Sequence, residues 1–396
     1  MTVAILTGIF TGAALLLLLP VTVFLAQVVA ARGKTTAEET GASAGSLAVL
    51  MPAHDEAAGI ASAIGALVPQ LRNNDRLLVI ADNCSDDTAA VARASGAEVT
   101  VRVDPVLRGK GYALDHGIRH LSAAPPDVVV IVDADCVVAA DALELLRHAC
   151  LSRHRPVQAL YLMRARTDAS LRQRMAAFAW RVRNEVRPSG WHRLGLPCQL
   201  MGTGMAFPWP LIATASLASG SIVEDMQLGI DLAVAGAPPT FCPLALVTST
   251  FPESSEGTLA QRTRWEHGHL GMIAARGLPL FWRGIVRHRL DLIAMALDLC
   301  VPPLASLVLM LVAVAVAAAL LAALGGGLTP LVMAVAALAI TVLATGLAWR
   351  QVGRSIVSLP ELLSAPVYAF AKIPIYVRLF TARQRQWIRT RRDGDR

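Results

Sequence analysis

The chain has 396 residues with a net charge of +7, 55% of them are hydrophobic, and the mean hydropathy is +0.52. Ordinary soluble proteins are less apolar, so part of the chain belongs in a membrane. The six cysteines show neither CxxC nor Cys/His ligand spacing, which argues against a zinc site and a disulfide framework and fits a reducing compartment. The Arg clusters border apolar segments, which favours anionic lipid over nucleic acid as a partner.

The N-terminal segment has the composition of a membrane helix. Residues 2–31 contain no charged side chain, and about 20 apolar residues are enough for a helix to cross a bilayer. Arg32 and Lys34 follow directly, whereas a secretory signal would have a basic start and a shorter apolar core. We therefore predict an uncleaved transmembrane helix over 1–31 with its N-terminus outside, followed by a linker over 32–46 on the cytoplasmic side.

The next part of the chain, 47–270, alternates strand and helix patterns. This alternation predicts an α/β domain with a wound, mainly parallel sheet. The first strands are predicted over 48–51, 77–81 and 98–103, and polar loops follow them. Because parallel strands end at the same edge of a sheet, these loops are expected to meet there.

The most informative strand signal runs over 128–132, an uninterrupted β-branched stretch of the kind that is buried on both faces of a sheet. Asp133 and Asp135 follow at its carboxyl end. Ligands bind at this edge in open α/β sheets, and two carboxylates one residue apart suit a hard divalent cation. The same pair is also common as a simple polar exit from a strand.

Other polar groups fall at the same edge. Asp82 ends the second strand as an acid that hydrogen-bonds a base or ribose would, while Asp86 and Asp87 fit helix N-caps. Arg108 and Lys110 alternate with glycines before a helix, which suits phosphate binding. A solvated basic turn would have the same sequence.

Three further stretches complete the pattern. A loop of small residues over 202–207 enters an apolar strand, and Glu224 and Asp225 begin a helix. Either acid could also serve only to stabilise the helix dipole. The QxxRW sequence over 261–265 lies in a helical stretch just before the apolar C-terminal part.

In this order the stretches resemble the membrane-bound family 2 glycosyltransferases, which include cellulose, chitin and hyaluronan synthases and ceramide glucosyltransferases. The resemblance extends from about residue 47 to the C-terminus. It implies a GT-A fold, inversion at the anomeric carbon, a nucleotide-sugar donor and Mg²⁺ or Mn²⁺ as cofactor. By the same resemblance, the donor is expected to be a UDP-sugar.

The resemblance also implies roles for single residues. Asp82 corresponds to the acid that holds the nucleoside, Asp133 and Asp135 to the pair that binds donor and metal, and Asp225 to the general base, with Glu224 as the alternative. The expected substrate-binding residues are Glu56, Asp82, Arg108, Lys110, Asp133, Gly202, Thr203, Gly204, Gln261, Arg264 and Trp265. The role of Glu56 stays open, because His54 and Asp55 precede it where the family often has an Asn. His267 and His269 are expected to be structural or to line the acceptor.

In the C-terminal part, apolar segments alternate with basic ones. Its predicted segments are an interfacial amphipathic helix over 271–291, transmembrane helices over 292–324 and 328–350, an interfacial or re-entrant segment over 355–380 and a basic cytoplasmic tail over 381–396. If residues 355–380 crossed the membrane, the basic tail would lie outside, against the positive-inside rule. Three full spans are therefore expected. Asp298 should either face other helices or lie at headgroup depth.

The sequence therefore predicts an inverting, metal-dependent hexosyltransferase in a bacterial inner membrane, with its catalytic domain in the cytoplasm. Its acceptor is expected to be lipid-linked or a polysaccharide, in surface polysaccharide or glycolipid synthesis and within an assembly complex. One alternative is a processive exopolysaccharide synthase. Another is a catalytically silent, nucleotide-binding membrane subunit of a polysaccharide complex. The presence of Asp135, Asp225 and the full set over 261–265 argues against it.

Overall fold

The computed structural model describes residues 2–33, 43–166, 168–251 and 255–381. Most of the predicted linker over 32–46, and the predicted basic tail beyond residue 381, lie outside these residues. The described residues form two compact units. The sheet unit comprises 43–164 and 196–268, and the helical unit comprises 2–32, 165–195 and 269–381. The domain predicted over 47–270 is therefore not continuous, because 165–195 belongs to the helical unit.

The sheet unit is built on one sheet of eight strands within the described residues. In chain order they are β1 Leu47–Ala53, β2 Arg76–Asp82, β3 Glu98–Arg102, β4 Val128–Ile131, β5 Val137–Val138, β6 Val157–Arg164, β7 Met205–Pro208 and β8 Thr240–Thr250. Their order across the sheet is β3-β2-β1-β4-β7-β6-β8-β5. The β1–β2, β2–β3, β1–β4 and β6–β8 pairs are parallel, and the β4–β7, β6–β7 and β5–β8 pairs are antiparallel. The prediction of a wound, mainly parallel sheet is confirmed.

Among the helices of both units, α1 precedes the strands and the others lie between strands or follow them. In chain order they are α1 Thr2–Ala30, α2 Ile60–Leu67, α3 Thr88–Ala94, α4 Lys110–Leu121, α5 Ala142–Arg153, α6 Leu171–Arg181, α7 Arg187–Arg193, α8 Trp209–Ile212, α9 Glu224–Val234, α10 Ser255–Met272, α11 Leu278–Val286, α12 Leu290–Leu299, α13 Leu304–Ala323, α14 Thr329–Ala348, α15 Leu359–Leu363, α16 Ala365–Phe370 and α17 Ile373–Thr381.

The core of the sheet unit explains why these strands form. Every residue of β4 is buried, and β1 and β2 are buried over all but one residue each. Strand residues such as Leu50, Ile80 and Ile131 pack with Leu114 of α4 and Leu228 of α9. Burying a side chain of this size stabilises the fold by about 1.5–3 kcal/mol. The strands that carry the polar loops are therefore held in place by a packed apolar core.

Among the described residues, three helices of the helical unit are long and apolar enough to span a membrane. They cover Thr2–Ala30, Leu304–Ala323 and Thr329–Gly353, with mean hydropathies of 2.4, 2.9 and 2.4. The segment predicted as one helix over 292–324 divides into α12 and α13. Pro302 and Pro303 lie between the two, and proline supplies no backbone N–H and disfavours a helical residue before it.

The predicted amphipathic helix over 271–291 also differs from the structure. After a π-helical turn over Ile273–Gly277, α11 ends near Val286 and α12 begins at Leu290, because His288 adopts a left-handed φ of 50°. The region predicted as interfacial or re-entrant, 355–380, forms the short helices α15 to α17. Each of them has a proline in its first turn, where the missing N–H costs nothing.

Asp298 faces other helices, which is one of its two predicted settings. It lies near the end of α12, is only 8% exposed, and forms an ion pair of 2.8 Å with Arg187 of α7. Gln27 of α1 donates to its carboxylate at 2.6 Å and accepts from Arg187 at 3.0 Å. A buried charge with these partners ties α1, α7 and α12 together, and removal of one partner would leave the other uncompensated.

Candidate functional site

The loops that follow β1 and β2 meet at the carboxyl edge of the sheet. His54, after β1, forms a hydrogen bond of 2.7 Å with the carbonyl oxygen of Asp82, the last residue of β2. The backbone N–H of Glu56 donates to Thr88 Oγ1 at 2.8 Å, which joins the first loop to the start of α3. Because β1 and β2 are parallel and in register, the two polar loops lie side by side as the sequence predicted.

Asp133 and Asp135 follow β4 at the same edge. Their carboxylate oxygens and the Cys136 thiol lie within 4.8 Å of one another, a spacing that suits one cation. The backbone N–H of Asp133 donates to Thr203 Oγ1 at 3.0 Å, and Ser249 donates to Asp135 Oδ2 at 3.2 Å. These bonds fix both acids, and Ser249 is a supporting residue that the sequence did not reveal.

The chemistry of this donor set selects a hard metal ion. Burial, and then the charges of Asp135 and Asp133, raise the pKa of the Cys136 thiol well above its ordinary value. The thiol is therefore neutral and a poor ligand, since the thiolate is the form that binds metals. Two carboxylates remain, and carboxylate oxygen is the ligand that Mg²⁺ and Mn²⁺ prefer. The residues present fit the predicted cofactor.

Lys110 begins α4 and reaches into this group of acids. Its ammonium forms an ion pair with Asp133 and donates to the carbonyl oxygen of Gly202 at 2.7 Å. Burial lowers the pKa of Lys110, but the charges of Asp133, Glu224 and Asp225 outweigh this effect and leave the pKa above its ordinary value. Lys110 is therefore a fixed positive charge among three acids.

The loop of small residues, Gly202 to Gly204, lies on the other side of Lys110. Gly202 has a φ of +91°, and a Cβ there would stand 3.4 Å from Asp225 Oδ2. Gly204 has a φ of +65°, and a Cβ there would be 2.8 Å from the Cβ of Ala159. Only glycine adopts this path without strain. The loop thus brings Asp133, Lys110 and Asp225 into one site.

Glu224 and Asp225 begin α9, as the sequence predicted. Burial, and then the charge of Asp225, raise the pKa of Glu224 to about 7 from an ordinary value of 4.5. Two neighbouring carboxylates resist full ionisation, so Glu224 is partly protonated near neutral pH. This makes the acids at the start of α9 candidates for proton transfer.

The QxxRW sequence lies on α10, a helix that packs against the residue before the acid pair. Gly268, three residues after Trp265, packs so closely on Val223 that a Cβ would lie 2.4 Å from Val223 Cγ1. Val223 immediately precedes Glu224. The amide oxygen of Gln261 is buried and accepts no hydrogen bond from the part of the chain that the structure describes. Arg264 and Trp265 are half-buried.

Asp82 has a partner that sequence reasoning missed. Arg102, at the end of β3, donates to Asp82 Oδ1 at 2.6 Å, and the two residues are opposite each other in the β2–β3 register. An Arg at the carboxyl end of the predicted third strand was the available signal. Arg108, by contrast, is exposed, and the structure does not bring it to the acids in the way that it brings Lys110.

His269 is structural. It is buried, and its Nε2 donates to the carbonyl oxygen of Leu299 at 2.9 Å. Burial, and then the charges of Arg183 and Arg187, lower the pKa of His269 to about 3, so the ring is neutral at physiological pH. A histidine held in this way cannot exchange a proton at neutral pH, which removes it from the candidates for the base.

Comparisons with known proteins agree with the arrangement of the sheet unit. The family model described as "Glycosyltransferase like family 2" matches residues 44–268. Glucosyl-3-phosphoglycerate synthase of Mycolicibacterium paratuberculosis is 38% identical over 112 residues, which are 26% of this chain and 33% of that protein. The chain thus matches about a third of the length of its curated relatives.

Two solved structures are similar as well. The mannosyltransferase PcManGT from Pyrobaculum calidifontis, in complex with GDP-Man and Mn²⁺, has a TM-score of 0.57 and 20% identity, over 97% of this chain and 99% of that chain. Glucosyl-3-phosphoglycerate synthase from Mycobacterium tuberculosis, in complex with Mn²⁺, UDP and glucosyl-3-phosphoglycerate, has a TM-score of 0.40 and 24% identity, over 59% of this chain and 84% of that chain. The first likeness extends to both units and is one of fold.

Proposed function

Because this chain belongs to the glycosyltransferase like family 2 and has a GT-A fold flanked by apolar helices, we propose that it is a metal-dependent, inverting glycosyltransferase. Its donor is a nucleotide-diphosphate sugar, and its acceptor is a lipid-linked molecule at a bilayer. One observation carries the proposal: Asp133 and Asp225 border the same glycine loop, and Asp135 lies beside Asp133. That arrangement supplies a metal site and a base within one site.

Each group has a part in the transfer. A bound Mg²⁺ or Mn²⁺, held by Asp133 and Asp135, would neutralise charge on the departing nucleoside diphosphate. The Lys110 ammonium, beside Asp133, stabilises negative charge on a phosphate oxygen, and Arg264 adds a second positive charge. Asp225 accepts the proton of the acceptor hydroxyl as that oxygen attacks the anomeric carbon. Inversion needs this single in-line attack, so no protein nucleophile is required.

The buried amide oxygen of Gln261 supports a role for α10. A buried acceptor without a hydrogen bond costs about 1–3 kcal/mol, and a hydroxyl of a bound sugar would satisfy it. Gln261 and Trp265 are one turn apart on the helix, so they present an acceptor and an aromatic surface together. Sugars bind to such a combination of hydrogen bonds and stacking, and we assign Gln261 and Trp265 to the sugars of donor or acceptor.

The ends of the helical unit support an orientation in the membrane. Thr7 of α1 packs near Gly327, just before α14, and Gln351 donates to the carbonyl oxygen of Val28 at 2.9 Å. The helices α1 and α14 therefore run in parallel, with matching ends.

The charges at these two ends differ. The sequence has no charged residue over 2–31 or over 299–349, so the end near Thr7 is uncharged. Arg32, Arg350 and Arg354 lie beyond Val28 and at the end of α14. By the positive-inside rule, that end is cytoplasmic. We propose that the catalytic residues act in the cytoplasm of a bacterium, in surface polysaccharide or glycolipid synthesis and within an assembly complex.

The experiment is a donor screen on purified protein in detergent. Wild type is incubated with Mn²⁺, a membrane lipid extract and a panel of nucleotide sugars, and released nucleoside diphosphate is measured. We expect release with one donor or a few related donors, loss of release on chelation, and none from Asp135→Ala. Asp141→Ala, at an exposed acid before α5, is the matched control and should keep wild-type activity. Release that persists in chelator or in Asp135→Ala would remove the metal from the mechanism.

A further inference from the structure

A polar side chain, Gln158, lies in the buried part of β6. It is the second residue of that strand, and both it and its apolar neighbours Val157 and Ala159 are fully buried. Burying an amide costs free energy unless its polar atoms find hydrogen-bond partners. An apolar β-branched residue is the usual occupant of such a strand position. Packing alone therefore does not account for a glutamine here.

The partners of Gln158 lie in the loop of small residues that precedes β7. Its Oε1 accepts from the N–H of Met201 at 2.8 Å, and its Nε2 donates to the carbonyl oxygens of Thr203 and Ala159, both at 2.9 Å. An amide side chain has two donors and two acceptor lone pairs, so three of its four hydrogen-bonding positions are used. The reverse orientation of the amide would turn its donors toward the Met201 N–H. One buried side chain therefore holds the loop at two points.

The same loop contacts charged residues of the candidate site. The carbonyl oxygen of Gly202 accepts from Lys110 at 2.7 Å, and Thr203 Oγ1 accepts from the N–H of Asp133 at 3.0 Å. A Cβ at Gly202 would lie 3.4 Å from Asp225 Oδ2. The glycine thus lies between the two loop residues that the glutamine binds. A shift of the loop would disturb its contacts with all three charged groups.

The rest of the chain holds this loop mainly at its end. The N–H of Gly204 donates to the carbonyl oxygen of Ile131 at 2.9 Å, and its carbonyl oxygen accepts from Ala159 at 2.8 Å. Among the residues that the structure describes, no group other than Gln158 bonds the N–H of Met201 or the carbonyl oxygen of the threonine after Gly202. Glycine adopts many backbone conformations, so the two glycines do not fix the path of the loop by themselves.

We propose that Gln158 is a positioning residue for glycosyl transfer, because it holds the loop that keeps Lys110, Asp133 and Asp225 in their relative places. The inference rests on the proposed function, since it concerns the geometry of that reaction. Gln158 is fully buried and acts through the loop, without contact with donor or acceptor. Displacement of catalytic groups by about 1 Å lowers the rate by about 10²-fold, which sets the size of the expected effect.

The test compares Gln158→Met with Val157→Ala in purified protein in detergent, with Mn²⁺ and a donor that supports turnover by wild type. Methionine is unbranched and of similar length, but it donates no hydrogen bond. Val157→Ala removes buried apolar atoms at the adjacent position of β6 and leaves the loop bonds in place, so it controls for lost stability. We expect the kcat of Gln158→Met to fall by about 10- to 100-fold with a smaller change in the KM for donor. The kcat of Val157→Ala should stay near that of wild type, although its thermal unfolding temperature falls.

Hydrogen exchange tests the same inference without a variant, in case Gln158→Met does not fold. The Met201 amide of wild type donates to a buried acceptor, so it should exchange as slowly as the amides of β7. In folded Gln158→Met, exchange of the Met201 amide should become faster while β7 remains protected.

Three outcomes would overturn the inference and leave the proposed function standing. They are a kcat of folded Gln158→Met near that of wild type, an equal loss of kcat in Gln158→Met and Val157→Ala, and exchange of the wild-type Met201 amide at the rate of an unstructured peptide. Absence of turnover by wild type with every donor would instead reject the proposed function, and the positioning role with it.

Discussion

At the scale of single residues, the site depends on acids whose surroundings differ although their chemistry is the same. Asp133 and Asp135 are fixed by hydrogen bonds with Thr203 and Ser249, whereas burial and the charge of Asp225 raise the pKa of Glu224 to about 7. We therefore propose that their environments divide the four carboxylates into a metal-binding pair and a proton-accepting pair. Neighbouring acids with separated pKa values are a common arrangement for general acid–base catalysis.

Asp225→Asn tests the base. Asparagine keeps the shape of the side chain but cannot accept the proton of the acceptor hydroxyl. We expect nucleotide binding to survive and turnover to fall by about 10²- to 10⁴-fold, the usual contribution of a general base. Turnover and donor affinity, measured together, separate chemistry from binding. Unchanged turnover would transfer the role to Glu224.

Glu224→Gln tests the raised pKa of Glu224 through stability. Glu224 has a pKa of about 7 in the folded protein and an ordinary value of 4.5, so folded protein binds the proton in a range where the unfolded chain does not. The proton bound by Glu224 therefore stabilises the fold fully below about pH 4.5, and this stabilisation is lost as the pH rises through about 7. We expect the thermal unfolding temperature of wild type to fall across this range more steeply than that of Glu224→Gln. Parallel pH profiles would show that Glu224 has no raised pKa.

At the scale of elements, the sequence predicted the sheet and missed how the helices divide. Buried apolar runs such as Val128–Ile131 identify a strand because burial itself determines their composition. The break between α12 and α13 was marked by Pro302 and Pro303, but the apolar composition of 292–324, with Asp298 as its one charged residue, gave the stronger signal. Residues 165–195 belong to the helical unit through contacts with distant segments, such as Arg187 with Asp298, and no local pattern encodes such partners.

The candidate site shows the same limit. Asp82, Asp133 and Asp135 could be found because they end strands, and strand ends converge by topology. The choice of Arg102 over Arg108 as the neighbour of Asp82 depended on the register of β2 with β3, which the sequence does not specify.

Gly111→Ala tests how α4 positions Lys110. A Cβ at Gly111 would lie 2.4 Å from the carbonyl oxygen of Leu217 and 2.7 Å from that of Ser219, and these backbone atoms cannot give way easily. We expect a loss of about 1–3 kcal/mol in stability and weaker donor binding, since α4 must shift. The control is Gly65→Ala in α2, where no atom lies within 4 Å and alanine should stabilise by about 0.5–1 kcal/mol. Equal stability and donor affinity in both variants would refute the close approach.

At the scale of the whole molecule, the number of membrane helices bears on the product. Three described helices are long and apolar enough to span a bilayer, and each needs most of its surface for packing or lipid. Three helices do not supply enough surface to line a channel for a polymer. We therefore expect transfer of one sugar, or very few, to a lipid acceptor, although QxxRW also occurs in processive synthases.

The mass of the product tests the central claim most directly. Purified protein is reconstituted in liposomes containing a lipid-linked acceptor and supplied with excess nucleotide sugar and Mn²⁺, and the lipids are analysed by mass spectrometry. The account predicts a uniform increase of one sugar residue, with inverted anomeric configuration, that disappears on chelation. A long ladder of sugars from the lone protein would contradict single transfer, and the absence of any added sugar with every donor would contradict glycosyl transfer itself.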